Sequence, residues 1–249
     1  MGHVNLKNDE RVDQLYSNNI KIIQSSEVFS FSLDAVMLAN FANIKKSRHA
    51  KIIDLCAGNG AVGLFVSNKT DGQIFEVEIQ PRLSDMAERS VRLNDLEKQM
   101  RVYNADLKDS ITLFEKESFD DVLVNPPYFI DKPNSKKNPN PYLAVARHEV
   151  KTNLEEVIDV SSQLLKTNGK MFMVHRPDRL IEIFEKMKSH RLAPKKVQFI
   201  YPKKRRDANM VLISAIKDGK AAGLKVESPI FVYDGNDYLK FIKAILYGK

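Results

Sequence analysis

Residues 54–60 read Asp-Leu-Cys-Ala-Gly-Asn-Gly, and the mostly apolar run Lys-Ile-Ile stands directly before them. The run predicts a buried strand, and the stretch AVGLFVSN at 61–68 has the pattern of a helix. A glycine-bearing turn between a strand and a helix lets backbone N–H groups approach a ligand closely, since no side chain fills the ligand's space. This segment therefore predicts an α/β fold with a ligand site at the turn.

Apolar runs rich in Val, Ile and Phe alternate with helix-like stretches along the rest of the chain. We predict strands at KIIDLC (51–56), QIFEVE (73–78), RVYNA (101–105), DVLVN (121–125), KMFMV (170–174), VQFIY (197–201) and MVLISAI (210–216). Alternating strands and helices are typical of a doubly wound, mostly parallel sheet. The segment PKKRRDAN between the last two runs is too short for a helical crossover, so these strands are expected to form an antiparallel hairpin at the sheet edge.

The chain is interpreted as one domain, 1–249, with residues 1–49 as an N-terminal extension packed on an α/β core at 50–249. The extension contains a predicted hairpin of IKIIQ (20–24) with VFSFS (28–32), followed by a helix that Ser32 opens. Farther along, Asn153 and Glu156 have the spacing of a capping box, and Gly169 is expected to end that helix.

Charge and cysteine content limit the classes of protein. The net charge of +7 fits a polyanionic partner and fits a merely solvated basic surface equally well. One cysteine, Cys56, allows neither an internal disulfide nor a cysteine cluster for zinc, and no metal site is predicted. The polar start of the chain lacks the apolar core of a signal peptide, and no apolar run approaches the ~20 residues that span a bilayer. We expect a soluble cytoplasmic protein.

Three acids follow three successive predicted strands. The pattern D-x-x-x-G-x-G differs from the G-x-G-x-x-G of dinucleotide sites, and Asp54 suits the ammonium group of S-adenosylmethionine. Glu78 ends the second strand, where an acid can accept both hydroxyls of a ribose. Asp106 follows the third strand and is positioned for the adenine amino group of the cofactor. Each acid alone is equally a solvated loop residue; together they predict a site for S-adenosylmethionine.

The fourth strand ends in Asn125-Pro126-Pro127-Tyr128, and two prolines force a stiff turn there. The Asn125 side-chain oxygen and the Pro126 carbonyl can accept the two hydrogens of an exocyclic amino group, whose lone pair then points at a methyl donor. Tyr128 is expected to stack on a flipped base. In the alternative interpretation, Pro-Pro after a strand is only a rigid turn. The turn predicts methylation of adenine N6 without a metal.

Four motifs, DLCAGNG, EVEI (76–79), NADL (104–107) and NPPY (125–128), together resemble the class I methyltransferases that act on amino groups. Three further stretches resemble the bacterial valine-tRNA adenine-N6 methyltransferases: VFSFSLDAVMLANFA (28–42), VARHE (145–149) and PKKRRDANMVLISAIKDGK (202–220). The resemblance implies a Rossmann-like seven-stranded sheet with an antiparallel C-terminal hairpin. It also implies tRNA as partner, with the adenine adjacent to the anticodon on its 3′ side as substrate.

The resemblance assigns site residues as well. Ser32 and Asp34 would lie over the methionine end of the cofactor, and the NPPY residues would hold the target base. The cofactor would be held by Asp54, Ala57, Gly58, Gly60, Glu78, Asp106 and Asn125. Cys56 and Asn59 depart from the small residue and the Ser or Thr that are frequent in relatives, so their contacts with the cofactor stay open.

Two basic segments are predicted to hold RNA phosphates on either side of the target adenine. The hairpin tip carries Lys203, Lys204, Arg205 and Arg206, and the loop 131–141 carries Lys132, Lys136 and Lys137. Phosphate contacts of this kind set register without reading sequence. A solvated hairpin tip is the alternative interpretation.

Three other functions use the same sequence features. A protein-glutamine methyltransferase would use the NPPY turn on a side-chain amide, although that class carries a helical N-terminal substrate domain. DNA adenine methylation is less favoured because no target-recognition domain is evident. A non-catalytic RNA-binding protein of this fold would have no need to keep all four residues of NPPY.

Overall fold

The computed structural model of the protein describes residues 4–15, 19–28, 31–130, 140, 142, 145 and 148–248. A mostly parallel β-sheet runs through its centre. Its long strands are β3 (Lys51–Leu55), β4 (Gln73–Glu78), β5 (Met100–Asn104), β6 (Phe119–Val124), β7 (Leu165–His175), β8 (Leu192–Tyr201) and β9 (Met210–Lys217). Each lies on one of the seven predicted apolar runs, so the predicted Rossmann-like α/β class is confirmed.

The order across the sheet is β5-β4-β3-β6-β7-β9-β8, and only β9 runs antiparallel to its neighbours. The predicted β8–β9 hairpin is confirmed, but its expected place at the sheet edge is wrong. Two short strands, β10 (Lys225–Val226) and β11 (Ile230–Phe231), pair with the outer side of β8, which makes nine described strands. They satisfy backbone groups that an edge strand would leave unpaired.

Helices cover both faces of the sheet. One apolar cluster packs α1 (Leu33–Phe41), α2 (Ala61–Val66) and α7 (Lys240–Tyr247) on one face. The other face is covered by α5 (Leu154–Leu164) and α6 (Leu180–Ser189). The remaining helices are α3 (Pro81–Leu93) and α4 (Ser110–Leu113). In the described part of the chain, no helix is both long and apolar enough to cross a membrane.

The sequence signals for the start and the end of helix α5 are confirmed in part. Asn153 and Glu156 form the predicted capping box, with hydrogen bonds of 3.0 and 3.2 Å between side chains and backbone. The predicted stop at Gly169 is wrong, because α5 ends at Leu164 and Gly169 lies inside β7. The reason is that Leu165 is buried in extended backbone and pairs with Phe119, so the strand begins at once.

The N-terminal hairpin forms from different partners than predicted. The segment IKIIQ lies in β2 (Ile20–Ser25), which pairs with β1 (Glu10–Leu15); Phe29 and Ser30 of the predicted partner VFSFS lie outside the described residues. The reason is packing, since Val28 joins an apolar cluster with Leu83 and Met86 of α3. The helix that Ser32 was predicted to open is confirmed as α1. After β11, the chain makes a small hairpin of β12 (Tyr233–Asp234) and β13 (Asp237–Tyr238) before α7.

The order of the strands in the sheet determines where a ligand-binding crevice lies. From β3 the chain proceeds through β4 and β5 to one side, and from β6 through β7 to the other. Ligands of open α/β sheets bind where the order reverses, at the carboxyl ends of the strands. That point lies between β3 and β6, beside the DLCAGNG and NPPY turns.

Candidate active site

A cavity of about 530 Å³ opens at this point of the sheet. Its size lies within the range typical of small-molecule sites. Ten of the predicted site residues line it: Ser32, Asp34, Ala57, Gly58, Glu78, Asp106, Asn125, Pro126, Pro127 and Tyr128. The fold therefore brings the predicted cofactor half and the predicted catalytic half into one cavity.

Asp54 and Gly60 do not line this cavity, although direct cofactor contacts were predicted for both. The Asp54 carboxyl is fully buried, with its Oδ2 3.3 Å from the Gly63 N–H. Gly60 has a φ of +82°, and a Cβ there would lie 2.7 Å from Glu76 Oε2. Both residues therefore stabilise the turn without lining the cavity. Asp54 binds the start of α2, and Gly60 leaves room for the Glu76 side chain.

Glu78 is held rigidly at the end of β4. Its Oε2 accepts a hydrogen bond from the Gly58 N–H at 2.8 Å, and its Oε1 accepts one from the Gln80 N–H at 2.8 Å. Burial raises the pKa of this carboxyl, and the backbone hydrogen bonds act against that rise. Each carboxylate oxygen has a second lone pair. The carboxyl can therefore accept two ribose hydroxyls while it stays bound to the turn.

The turn itself leaves space for a ligand. Gly58 has a φ of +60°, and a Cβ built there would meet no atom within 4 Å. The Cys56 and Asn59 side chains, whose roles the sequence left open, both line the cavity. Burial raises the pKa of the Cys56 thiol well above its ordinary value, so the thiol stays protonated and is no nucleophile. Asn59 ties the turn to β2 by donating to the Ile23 carbonyl at 3.0 Å.

Asp106 lines the cavity at the start of a short 3₁₀ helix, Leu107–Asp109. Its Oδ1 accepts a hydrogen bond from the Lys108 N–H at 3.0 Å, which orients the carboxyl. The neighbouring Leu107 also lines the cavity. An acid beside an apolar wall can receive an adenine amino group while the base packs on the wall.

The NPPY turn follows β6, and its Tyr128 side chain is half-buried. The Tyr128 hydroxyl lies 2.6 Å from Asp34 Oδ2 and 2.6 Å from Asn125 Oδ1. Burial, and then the charge of Asp34, raise the pKa of Tyr128 well above its ordinary value, so the hydroxyl keeps its proton. The Tyr128 ring packs against His175 at 5.2 Å between centroids, while the ring exposed at the cavity mouth is Phe129. The stacking role of Tyr128 therefore stays a prediction.

His175 lies beneath the NPPY turn. The ring is fully buried, and its Nδ1 accepts a hydrogen bond from the Arg176 N–H at 2.8 Å. Burial, assisted by the charge of Arg179, lowers its pKa to about 4. A neutral imidazole here supports the Tyr128 ring and adds no charge to the cavity.

Several residues that line the cavity were not among the predicted site residues. Phe31, Gln80, Lys151 and Thr152 line the cavity together with Phe129. They come from segments that the fold brings together, and their residue types are common at ordinary loop positions. The segment after Phe129 returns to it at His148, where the Glu149 N–H donates to the Phe129 carbonyl at 2.8 Å.

The two predicted RNA-binding segments differ in what the structure describes. Lys203, Lys204, Arg205 and Arg206 are exposed on the tip between β8 and β9. This tip lies at the carboxyl edge of the sheet, because His175 at the end of β7 pairs with Val211 near the start of β9. Lys132, Lys136 and Lys137 lie outside the described residues.

A family model described as "Methyltransferase small domain" matches residues 19–199 of the chain. The chain belongs to the methyltransferase small domain family. The predicted resemblance to class I methyltransferases is thereby confirmed. The matched range includes the DLCAGNG turn, all three strand-end acids and the NPPY turn.

Relatives of this family member include methyltransferases of two kinds. One, from Shewanella sp. (strain MR-4), is named tRNA1(Val) (adenine(37)-N6)-methyltransferase and is 26% identical over 139 residues. The match covers 55% of this chain and 57% of the relative, so the two correspond over little more than half their lengths. Another, a release factor glutamine methyltransferase from Bifidobacterium longum (strain NCC 2705), is 29% identical over 149 residues and matches 53% of this chain and 51% of its own.

Solved structures share the fold of this methyltransferase. A predicted O-methyltransferase from Agrobacterium tumefaciens superimposes with a TM-score of 0.67 at 24% identity, covering 86% of this chain and 96% of its own. A geranyl diphosphate C-methyltransferase from Streptomyces coelicolor A3(2), solved with S-adenosyl-L-homocysteine, gives 0.56 at 13% identity, covering 74% and 75%. These likenesses establish the fold alone.

Proposed function

We propose that this methyltransferase acts on the exocyclic N6 amino group of an adenine in tRNA, with the adenine adjacent to the anticodon of valine tRNA as its substrate. The observation that carries the proposal is the convergence of Asn125 and Pro126 on the cavity that Gly58 and Glu78 also line. Both acceptors of an amino group thus stand beside the site for a methyl donor.

S-adenosylmethionine is the cofactor, and its sulfonium supplies an electrophilic methyl group when it is bound. The chain's own residues fit it. Gly58 leaves open space toward the cavity, and Glu78 retains acceptor capacity for a ribose. Asp34 adds an acid near the start of α1, on the side of the cavity that suits an ammonium group.

Tyr128 decides which atom of the Asn125 amide faces the substrate. Its hydroxyl has one proton and two acceptors at 2.6 Å, and a carboxylate is the stronger acceptor. Once the proton goes to Asp34, the Tyr128 oxygen can accept from the Asn125 amide nitrogen, because the two ends of an amide have nearly the same shape. The Asn125 oxygen is then released to accept a hydrogen of the adenine amino group.

The two acceptors draw the amino nitrogen out of conjugation with its ring. S-adenosylmethionine would supply the methyl group to the lone pair of this nitrogen, and one of the two amino hydrogens held by Asn125 and the Pro126 carbonyl would leave as a proton to solvent. Asn125 and the Pro126 carbonyl are held in place before methyl transfer begins, so no free energy is spent on reorienting them during the step. Burial of Tyr128 against His175 keeps Asn125 in place.

Incubation with methyl-labelled S-adenosylmethionine and separated pools of tRNA, DNA and protein tests the proposal. We expect label in tRNA, recovered as N6-methyladenosine after digestion to nucleosides, and its loss with Asn125→Ala. Label in another nucleoside, or in DNA, would contradict the proposal.

A protein-glutamine methyltransferase is the second candidate, since the Bifidobacterium relative carries that name and a side-chain amide suits the same two acceptors. Label recovered as methylglutamine in the protein pool would favour the second.

A further inference from the structure

A second concave site lies beside the catalytic cavity. It is a groove of about 620 Å³ between β1, the start of α1, Tyr238 of β13 and the end of α7, where Tyr247 lies. Phe31 and Ser32 line both the groove and the catalytic cavity. The groove and the catalytic cavity therefore share a wall.

The groove is also joined to the basic tip. The Val232 N–H donates to the Tyr201 carbonyl at 2.9 Å, and the Tyr233 N–H donates to the Pro202 carbonyl at 2.9 Å. The Tyr233 ring stacks on Tyr238 at 4.8 Å between centroids, with 19° between the planes. Tyr238 is thereby fixed between the base of the tip and the groove, and the groove shares Phe31 and Ser32 with the catalytic cavity.

The walls of the groove suit a nucleobase. Phe31, Tyr238 and Tyr247 supply aromatic rings, and Tyr247 is 44% exposed. The acid on the wall, Asp13, is paired with Arg11 at 3.0 Å, which offsets its repulsion of a phosphate, and Lys21 lies on the same wall. Aromatic rings beside a cationic side chain are typical of sites that bind single-stranded nucleic acid, because every base offers a flat π-face.

We propose that this groove is a second nucleobase site, which holds a nucleotide next to the methylated adenine while the tip holds the flanking phosphates. The proposal rests on the proposed RNA substrate and adds a determinant of substrate choice. Target bases would be accepted only from a loop whose neighbouring base can also be splayed out, because the two sites share a wall.

Tyr247→Ala tests the groove, since Tyr247 is exposed near the end of α7 and its removal leaves the core unchanged. Phe241→Ala is the matched control: this ring is 47% exposed on the same helix but does not line the groove. The probes are a valine tRNA transcript and versions of it with an abasic nucleotide on either side of the target. Affinity is measured by fluorescence anisotropy, independently of methylation.

For the wild type and Phe241→Ala, we expect the abasic change on one side of the target to weaken binding about tenfold, as the loss of one stacked base does. Tyr247→Ala should bind the intact tRNA about tenfold more weakly and be insensitive to that abasic change. Equal affinities of the two variants, or an abasic effect that persists in Tyr247→Ala, would overturn the proposal. A change of molar mass in light scattering with Tyr247→Ala would overturn it too, because the groove would then hold a second copy of the chain.

The failure of the proposed function is a separate outcome. A wild-type enzyme that binds tRNA through the groove but transfers label only to protein would refute the proposed tRNA methylation and leave the groove assignment standing.

Discussion

The Tyr128 hydroxyl lies between Asp34 Oδ2 and Asn125 Oδ1, 2.6 Å from each. Asp34 belongs to the first turn of α1, and Asn125 follows the last residue of β6. A half-buried phenol thus joins the helix above the cavity to the strand that presents the target-binding amide. The orientation of Asn125 is consequently set from α1, outside the NPPY motif.

A double-mutant cycle of Asp34→Asn and Tyr128→Phe measures this link. Asp34→Asn removes the charged acceptor, and Tyr128→Phe removes the hydroxyl that joins α1 to Asn125. Each change should lower kcat about tenfold, which is a typical cost of one lost hydrogen bond. Because both changes break the same chain of contacts, the double variant should lose little more than the worse single variant. Fully additive losses would show that Asp34 and Tyr128 act independently.

Glu78→Ala should weaken S-adenosylmethionine binding about 100-fold or more, since two charge-assisted hydrogen bonds are worth roughly 1.5–3 kcal/mol each. Calorimetry measures the affinity, and Glu78→Gln should lose less because it retains one acceptor oxygen. Glu88→Ala is the control, as the Glu88 side chain is 62% exposed on α3. An affinity of Glu78→Ala within twofold of the wild type would remove Glu78 from the site.

The sequence predicted the sheet well because its strands are short apolar runs buried on both faces, and such runs signal their own positions. It also predicted most of the cavity, since the carboxyl ends of parallel strands meet at one edge whatever the details of packing. What it missed depends on tertiary contacts. Nothing local shows that β2 pairs with β1, or that Leu165 begins a strand before Gly169 is reached.

The roles of Asp54 and Glu76 show the same limit. Both acids occur on predicted strands near the turn, and the sequence favoured Asp54 as a cofactor ligand. Only the packed structure shows that Gly60 and Gly63 leave room for the Glu76 carboxyl behind the turn. Asp54 and Glu76 pair across β3 and β4, both fully buried.

This acid pair predicts that stability falls as pH rises. In the described residues, Asp54 Oδ1 and both oxygens of Glu76 have no hydrogen-bond partner. Burial raises the pKa of Asp54 to about 8 and that of Glu76 well above its ordinary value. The unfolded chain releases these protons near pH 4 and the folded chain keeps them, so unfolding becomes easier between about pH 4 and pH 8.

Glu76→Gln replaces one acid by a neutral group of the same shape and should therefore raise Tm more at pH 8 than at pH 5. The expected difference between the two gains is at least about 2–4 °C, the change in Tm that one kcal/mol causes in a domain of this size. Thermal unfolding followed by circular dichroism measures it, with Glu88→Gln as the exposed control. A gain of equal size at both pH values would mean that both acids are already ionised in the folded protein.

We expect the basic tip to bind tRNA phosphates without affecting the methyl-transfer step. Replacing Lys203, Lys204, Arg205 and Arg206 together by Ala should weaken tRNA binding and flatten its salt dependence by roughly 0.7–0.9 per lost phosphate contact. Cofactor affinity and the saturated rate should stay near wild type, because the tip is two strands away from β6 in the sheet order. Anisotropy titrations over a range of salt concentrations measure the slope.

The matched control removes the same charge from the opposite edge of the sheet. Lys46, Arg48, Lys98 and Lys116 are exposed and precede β3, β5 and β6, at the amino ends of these strands. Changing all four to Ala should leave the salt slope as it is, since a bound tRNA at the carboxyl edge lies beyond the screening length of about 8–10 Å from them. Equal slopes in the two quadruple variants would show that the tip makes no phosphate contact, and that the RNA follows another path to the NPPY turn.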